Sequence, residues 1–554
     1  MVCKVCQTNL RGSAKFCNGC GAPLSIFTQL GVRLSGSGKA VNAADMDEEV
    51  ETVDSPATKA KSARSILWSK PAQTILFVLV FASLPALFPG LANRIPGLSQ
   101  YHEMMPDLKE LVSFKGSESN QGGGNIPGGA PSSASSEFAA TGAEPPVIVG
   151  SEHPIDDPTH TLDPFFAQLA RTENRQPGAI TRITHYGDSP ITNDGITSTV
   201  RRIMQEHYGD AGHGFILMDR PWAWYGHQAI TFTSGGDWDD NPMMGAKEND
   251  GEFGLGGVSF RASGPGRYAR FAPASEGETG KNFSRMEVYY LRQPGGGQFS
   301  VDVNGAGAQT ISTNSDATTS GFYEIKAQGN GANTFNVKSA SGSVRLFGAV
   351  IENDGPGVVY DSLGVNGAYA GLLATAMNPD HWAQQLQHRN PNLVIINYGT
   401  NESQYASDDQ MERYDKDLRE VIRRVRAALP NVSILLVSPM DRGKRAGGGK
   451  IITLPSIPKI VEMQKRVAQE TGCAFFNTFA AMGGEGTMAK WAAGTGRNHL
   501  VGGDLTHPTA EGSEIVGRLI FEAINDSYLK YKARAAPGSQ PMVAQNKETV
   551  TSNK

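Results

Sequence analysis

Three strand-like runs, scattered between residues 180 and 507, each break off at a short polar turn and give way to a helix-like pattern. The first, ITRITHY, leads into Gly187-Asp188-Ser189, after which Ile196, Val200 and Ile203 recur on one helical face. The second, LVIIN, is a continuous apolar run from Leu393 to Asn397 that ends at Gly399-Thr400-Asn401. In the third block, GGDLTHPTAEG, Asp504 and His507 precede a helix carrying Ile515, Leu519 and Ile520. Strands that alternate with helices in this way specify an α/β sheet.

The residue types at the three turns suit one chemistry. A serine at a strand-to-helix turn is exposed at the strand's C-terminal edge, where its own N–H can stabilise a developing oxyanion. An asparagine at a strand end can aim its amide into the same cleft, or simply cap a turn. A carboxylate three residues before a histidine can orient one imidazole nitrogen while the other faces the serine. Each block alone is weak, since Gly, Asp and Ser also make ordinary turns; their joint order is the informative feature. The chain has no G-x-S-x-G elbow and no HExxH, so the ordinary α/β-hydrolase elbow and metalloprotease chemistry have no support.

In these blocks the sequence resembles the SGNH, or GDSL, hydrolase family, over roughly residues 178 to 230 and 355 to 530. The resemblance implies a flavodoxin-like three-layer α/β/α sandwich. It also implies Ser189 as nucleophile, His507 as general base and acid, Asp504 as its orienting partner and Asn401 as an oxyanion donor. The family's remaining block is matched by YDSLGVNGAYA, which implies an oxyanion N–H from Gly364, with Gly367 the competing choice. No cofactor or catalytic metal is implied.

The stretch between Ser189 and Gly364 is far longer than one helix and one strand need. Residues 236–352 hold short alternating runs, among them RMEVYYLRQ, QFSVDVNG and VRLFGAVIEN, separated by Gly-rich turns, and read as an inserted antiparallel β-sandwich or jelly roll. Just before it, Trp222, Trp224, Tyr225 and His227 crowd together. They form either a stacking platform for a sugar ring or a packing surface between insert and hydrolase. GDSP, GDAGHGF, PWAWYGH, a β-insert and DSLGVNGA together resemble the peptidoglycan O-acetylesterase branch of the family, which implies removal of O-acetyl groups from cell-wall glycan.

The remainder is of a different kind, as the composition shows. With 554 residues, 65 Gly and 31 Pro, the chain has room for several domains and loose linkers. Four of its five cysteines, Cys3, Cys6, Cys17 and Cys20, form two CxxC pairs, the donor set of a structural zinc ribbon over residues 1–26; a redox CxxC is the competitor. Cys473 reads as a small core residue. A linker (27–70) leads to an uncharged run over 71–93, long enough to cross about 30 Å of hydrocarbon as one transmembrane helix. Lys59, Lys61, Arg64 and Lys70 before that run place the N-terminus in the cytoplasm. A Gly/Ser-rich tether (94–150), the hydrolase in two parts (151–235 and 353–534) and a polar tail (535–554) complete the order. The net charge of −5 excludes a general nucleic-acid partner.

The expectation is a membrane-tethered, extracytoplasmic bacterial serine esterase that deacetylates an envelope polysaccharide. The ribbon faces an unidentified cytoplasmic partner. Acetyl transfer through the same acyl-enzyme, and a non-catalytic wall-binding protein on a hydrolase fold, are the alternatives.

Overall fold

The computed structural model describes residues 152–248, 250–404 and 407–535. The four N-terminal cysteines, the linker, the 71–93 run, the tether up to residue 151 and the tail from 536 lie outside these residues. Among the described residues no helix is long and apolar enough to cross a membrane.

The chain begins with α1 (Asp163–Glu173), β1 (Ile180–Gly187), α2 (Ser189–Thr192), α3 (Gly195–Tyr208) and β2 (Gly212–Leu217). Strands then run without a helix: β3 (Thr231–Gly235), β4 (Asp239–Pro242), β5 (Val258–Ser263), β6 (Tyr268–Ala272), β7 (Phe283–Arg292) and β8 (Gln298–Val303). They continue with β9 (Ala306–Ser312), β10 (Thr319–Gly331), β11 (Phe335–Ser341), β12 (Ser343–Glu352) and β13 (Gly357–Gly364). The last part holds α4 (Ala370–Thr375), α5 (Pro379–Arg389), β14 (Leu393–Asn397), α6 (Asp408–Ala428), β15 (Ser433–Val437), β16 (Gly443–Arg445) and β17 (Ile451–Thr453). It closes with α7 (Ser456–Thr471), β18 (Ala474–Phe476), α8 (Thr478–Ala481), α9 (Thr487–Ala493) and α10 (Ala510–Ala535).

Five of these strands form one parallel sheet in the order β13-β1-β14-β15-β18. Numbered along the chain this is 2-1-3-4-5, the flavodoxin-like winding. The period-2 alternation of β14 shows why helices cover both faces. Leu393 and Ile395 pack with Phe165 of α1, Val200 of α3 and Ile520 of α10. Val394 and Ile396 pack with Trp382 of α5, Leu418 of α6 and Ile460 of α7.

The remaining long strands make two antiparallel sheets, β10-β7-β12-β5-β4 and β3-β6-β11-β8-β9. They share one core, in which the rings of Tyr290 and Phe299 meet edge-on at 5.1 Å. Strands β2 and β3, which the sequence places with the hydrolase, pair within these sheets: Leu217 lies opposite Gly348 of β12, and Thr231 opposite Ala272 of β6. Read alone, GHGFIL is an ordinary buried strand of an α/β unit. Gly214, however, lets its backbone lie directly over β13, since a Cβ there would come within 2.6 Å of Asp361.

An ion cluster fastens the two parts. Arg389 of α5 donates to Asp361 of β13 (2.8 and 2.9 Å) and to Glu352 of β12 (2.5 Å), and Arg182 of β1 and Arg285 of β7 also donate to Glu352. Burial opposes ionisation of Glu352, but the three guanidiniums outweigh it and hold the carboxyl well below the usual range.

Candidate active site

Parallel pairing brings the predicted turns to one sheet edge, because Gly187 stands in register with both Gly364 and Asn397. The turn after β1 has to be sharp. A side chain at Gly187 would run into Ile191 at 2.5 Å, so only glycine lets the chain reverse into α2 and raise Ser189 above the sheet.

Ser189 is 8% exposed, and its Oγ lies 2.7 Å from Nε2 of His507. Nδ1 of His507 lies 2.5 Å from Oδ2 of Asp504, whose Oδ1 accepts from the backbone N–H of Thr506 and of His507 at 3.1 Å each. The ionised carboxylate accepts a hydrogen bond from Nδ1–H, which fixes the tautomer so that the Nε2 lone pair faces the serine hydroxyl. Burial raises the Asp504 carboxyl, but the His507 ring and the two backbone amides more than reverse this and hold it at about 2. The loop is itself constrained: Leu505 has a left-handed backbone at φ 57°, and Gly502 N–H donates to the His507 carbonyl at 2.7 Å.

Asn401 donates one amide hydrogen to the carbonyl of Ala368 at 2.8 Å, leaving its other hydrogen for a ligand. That contact locks the GTN loop to the loop after β13. Glu402 adds a second tie, accepting from Ala370 N–H (2.9 Å) and Gly399 N–H (3.0 Å). The sheet ladder bears on the choice between the two candidate glycines. Val365 N–H donates to the Gly187 carbonyl at 3.1 Å, and in a parallel pair the residue before it then turns its own N–H away from β1. Gly364 is therefore a packing residue: a Cβ there would meet Thr192 N at 2.3 Å. Gly367 sits on the turn closed by Ala368 N–H to Val365 C=O, in the loop that Asn401 touches.

Arg442 lies outside the motifs, and Asp188, although within Gly187-Asp188-Ser189, has a role they do not show. Arg442, just beyond β15, donates to the Thr400 carbonyl (2.7 Å), Ser403 Oγ (3.0 Å) and Thr506 Oγ1 (3.2 Å), bracing the GTN loop against the histidine loop. Its place at a strand's C-terminal end is the signal that could have found it. Asp188 is buried beside the nucleophile, and desolvation followed by the nearby Glu402 charge pushes its carboxyl up to about 8.

The aromatic group does not form one platform. Trp224 is 53% exposed and Trp222 half-buried against the core, whereas Tyr225 is 5% exposed. The Tyr225 hydroxyl accepts from Leu217 N–H and bonds to His227 Nε2, while His227 Nδ1 bonds to His213 Nε2, each within 2.9 Å. Tyr225 is thus an anchor for the tryptophan loop rather than a stacking surface. His213, His227 and Asp194 place ligand-type atoms within 4.8 Å of one another. They do not suit a cation, because Arg201 already pairs with both oxygens of Asp194 and the histidines are bonded to each other.

Residues 327–515 match the GDSL-like lipase/acylhydrolase family. The chain carries a GDSL-type acylhydrolase domain. The matched stretch contains Gly364, Asn401, Asp504 and His507, and the fold returns Ser189 to them from upstream; the protein is an ester hydrolase of this type. Among solved structures, a peptidoglycan O-acetylesterase superposes with a TM-score of 0.56 at 22% identity, covering 68% of this chain and 99% of that one. A family two carbohydrate esterase from Cellvibrio japonicus (TM-score 0.23, 11% identity, 55% and 98% covered) and the salicylyl-acyltransferase SsfX3 (0.25, 14%, 54% and 94%) are more distant. No curated protein matches the chain.

Proposed function

We propose that this GDSL-type esterase removes O-acetyl groups from a cell-envelope polysaccharide, with peptidoglycan as the substrate. The observation that carries the mechanism is the unbroken line from Asp504 through His507 to Ser189, 2.5 and 2.7 Å at its two links. His507 takes the serine proton as Oγ adds to the acetyl carbonyl. The oxyanion is met by the N–H of Ser189, the free amide hydrogen of Asn401 and the N–H of Gly367, which replaces Gly364 in this role. The imidazolium returns its proton to the departing sugar oxygen, and water releases acetate from the acyl-serine by the same route.

The glycan substrate is supported by the likeness to a solved peptidoglycan O-acetylesterase and by the exposed indole of Trp224. The reading of the insert as a jelly roll is supported by its strand order, since β5 to β12 taken as one to eight read 1-8-3-6 and 2-7-4-5. The uncharged 71–93 run supports a membrane tether with the catalytic domain outside the cytoplasm, and the two CxxC pairs support a zinc-bound ribbon on the inner side.

The test is acetate release by the full chain in detergent from O-acetylated peptidoglycan, acetylated xylan and an aryl acetate. Peptidoglycan should be the best polymer, and Ser189→Ala should lose at least about a thousandfold on every substrate. Retained activity in that variant would refute the mechanism, and preference for xylan the substrate.

A further inference from the structure

The cleft has two unlike rims, divided by the strand order. On the β13 side, at the loop that follows the strand, Met244 and Tyr369 are exposed apolar side chains. Met244 belongs here because a methyl placed on Gly367 would lie 3.8 Å from its Cγ. On the β15 side stands the β16–β17 hairpin, residues 443–453, with register Gly443 to Thr453, Lys444 to Ile452 and Arg445 to Ile451. Its base is part of the catalytic apparatus: Gly443 N–H donates to the Leu505 carbonyl at 2.8 Å, two residues before His507, and Arg442 braces Thr506. Ile451 packs into the core, fixing the hairpin's root. Its tip, Gly447 to Gly449, has open space around every glycine.

The hairpin exposes Lys444, Arg445 and Lys450. None of the three has a side-chain partner among the described residues. This sets them apart from many cations elsewhere on the surface, where Arg202 pairs with Glu514, Lys247 with Asp239, Lys416 with Glu412, Arg423 with Glu420 and Lys532 with Glu173. The nearby acids do not neutralise them. Among the described residues Asp504 is occupied by His507 and Asp441 by Met488 N–H, and Glu485, exposed near the hairpin's root, forms no ion pair with any of the three. A protein of net charge −5 thus holds three unpaired positive charges on a short arm attached to its catalytic loop.

We infer that the 443–453 hairpin is a binding arm for the carboxylates of an anionic glycan, so that the esterase selects acetyl groups on a polymer that carries negative charge. This rests on the reading of the protein as a glycan deacetylase and narrows its substrate class. Sugar rings lie against Met244 and Tyr369 on the β13 side, the acetyl ester reaches Ser189, and carboxylates borne by the same chain meet Lys444, Arg445 and Lys450. A glycine tip suits this arm, since it adds no bulk where a polymer must pass. Long-range attraction by like charges on one rim raises the rate of productive encounter and is screened by salt.

The test compares the full chain with a K444Q/R445Q/K450Q variant on three substrates: O-acetylated peptidoglycan fragments with free peptide carboxyls, the same fragments with those carboxyls amidated, and an aryl acetate. For the wild type, kcat/KM should fall about tenfold on amidation and fall with added salt. The variant should show the lower value on both fragments, with little salt dependence, and should match the wild type on aryl acetate. Equal wild-type rates on free and amidated fragments would overturn the inference. So would a variant unchanged on free fragments.

A second readout does not need deacetylation of the fragments. Acetyl-free anionic fragments should inhibit aryl acetate hydrolysis about tenfold more weakly in the variant. If neither fragment releases acetate, the peptidoglycan reading fails while this inhibition still decides the arm's role. Binding to phosphatidylglycerol vesicles that the variant loses, with no difference in fragment inhibition, would assign the arm to a membrane surface and overturn the glycan inference.

Discussion

His507 is bonded at both ring nitrogens, which leaves one path for the proton and places the remaining burden of catalysis on the oxyanion donors. Asn401 carries a large share, because its amide is already fixed by the Ala368 carbonyl and needs no reorganisation when charge develops. Asn401→Ala should lower kcat on an aryl acetate about a hundredfold with little change in KM, while removing only about 1 kcal/mol of stability for the lost hydrogen bond. Steady-state kinetics and a denaturant titration check both parts. Asp188 offers a separate handle. Its folded pKa of about 8 lies above the unfolded value, so the native state binds the extra proton, and stability declines as pH rises from about 4 through 8. Asp188→Asn should remove at least about 1 kcal/mol of that decline, read as a flatter plot of unfolding free energy between pH 5 and 9. Ser189, Asp504, His507 and Asn401 were legible because each stands in a short motif at a strand end. Arg442 and the protonated Asp188 were not, since their roles arise from groups distant in sequence.

At the scale of elements, the four-residue helix α2 decides where the nucleophile sits, and it rests on the backbone of β13 at Gly364. Gly364→Ala drives a Cβ to 2.3 Å from Thr192 N, so α2 must move and Ser189 with it. The variant should lose roughly 1 to 3 kcal/mol of stability together with most of its activity. Gly367→Ala meets no close atom, and its cost is limited to about 1 kcal/mol for the left-handed backbone at φ 73°. A denaturant titration of both variants separates them; equal losses would show that α2 does not depend on this contact. The same scale explains what the sequence obscured. The alternating strands and helices displayed the parallel sheet, but nothing local distinguishes β2 from a sixth strand of it. Its place is settled by pairing with β12, more than a hundred residues later, and by what Gly214 can lie against. Tyr225 stands open between stacking and packing in the sequence for a related reason, because the partners that decide for packing, His227 and the Leu217 amide, are set by the fold.

For the whole described body, the question is whether insert and hydrolase are two domains or one folding unit. A single apolar core runs from Phe299 and Val301 of the insert through Val350 to Ile460 beneath the parallel sheet. The Arg389 cluster crosses the same boundary with both of its carboxylates buried. Neither part can leave without exposing apolar surface and stranding charge, so they should unfold together. Trp238 lies buried in the insert and Trp491 in the hydrolase, which allows each part to be followed in variants retaining one of these two as the sole tryptophan of the described residues. Denaturation midpoints from the two reporters should coincide with each other and with far-UV circular dichroism. Arg389→Ala supplies the sharper form of this prediction. It leaves Asp361 without its ion-pair partner, and Glu352 with two guanidiniums instead of three. The expected loss is about 3 to 5 kcal/mol. If the body is one cooperative unit, both reporters should shift by the same amount. A shift confined to one would show that the shared core does not couple the insert to the catalytic sheet.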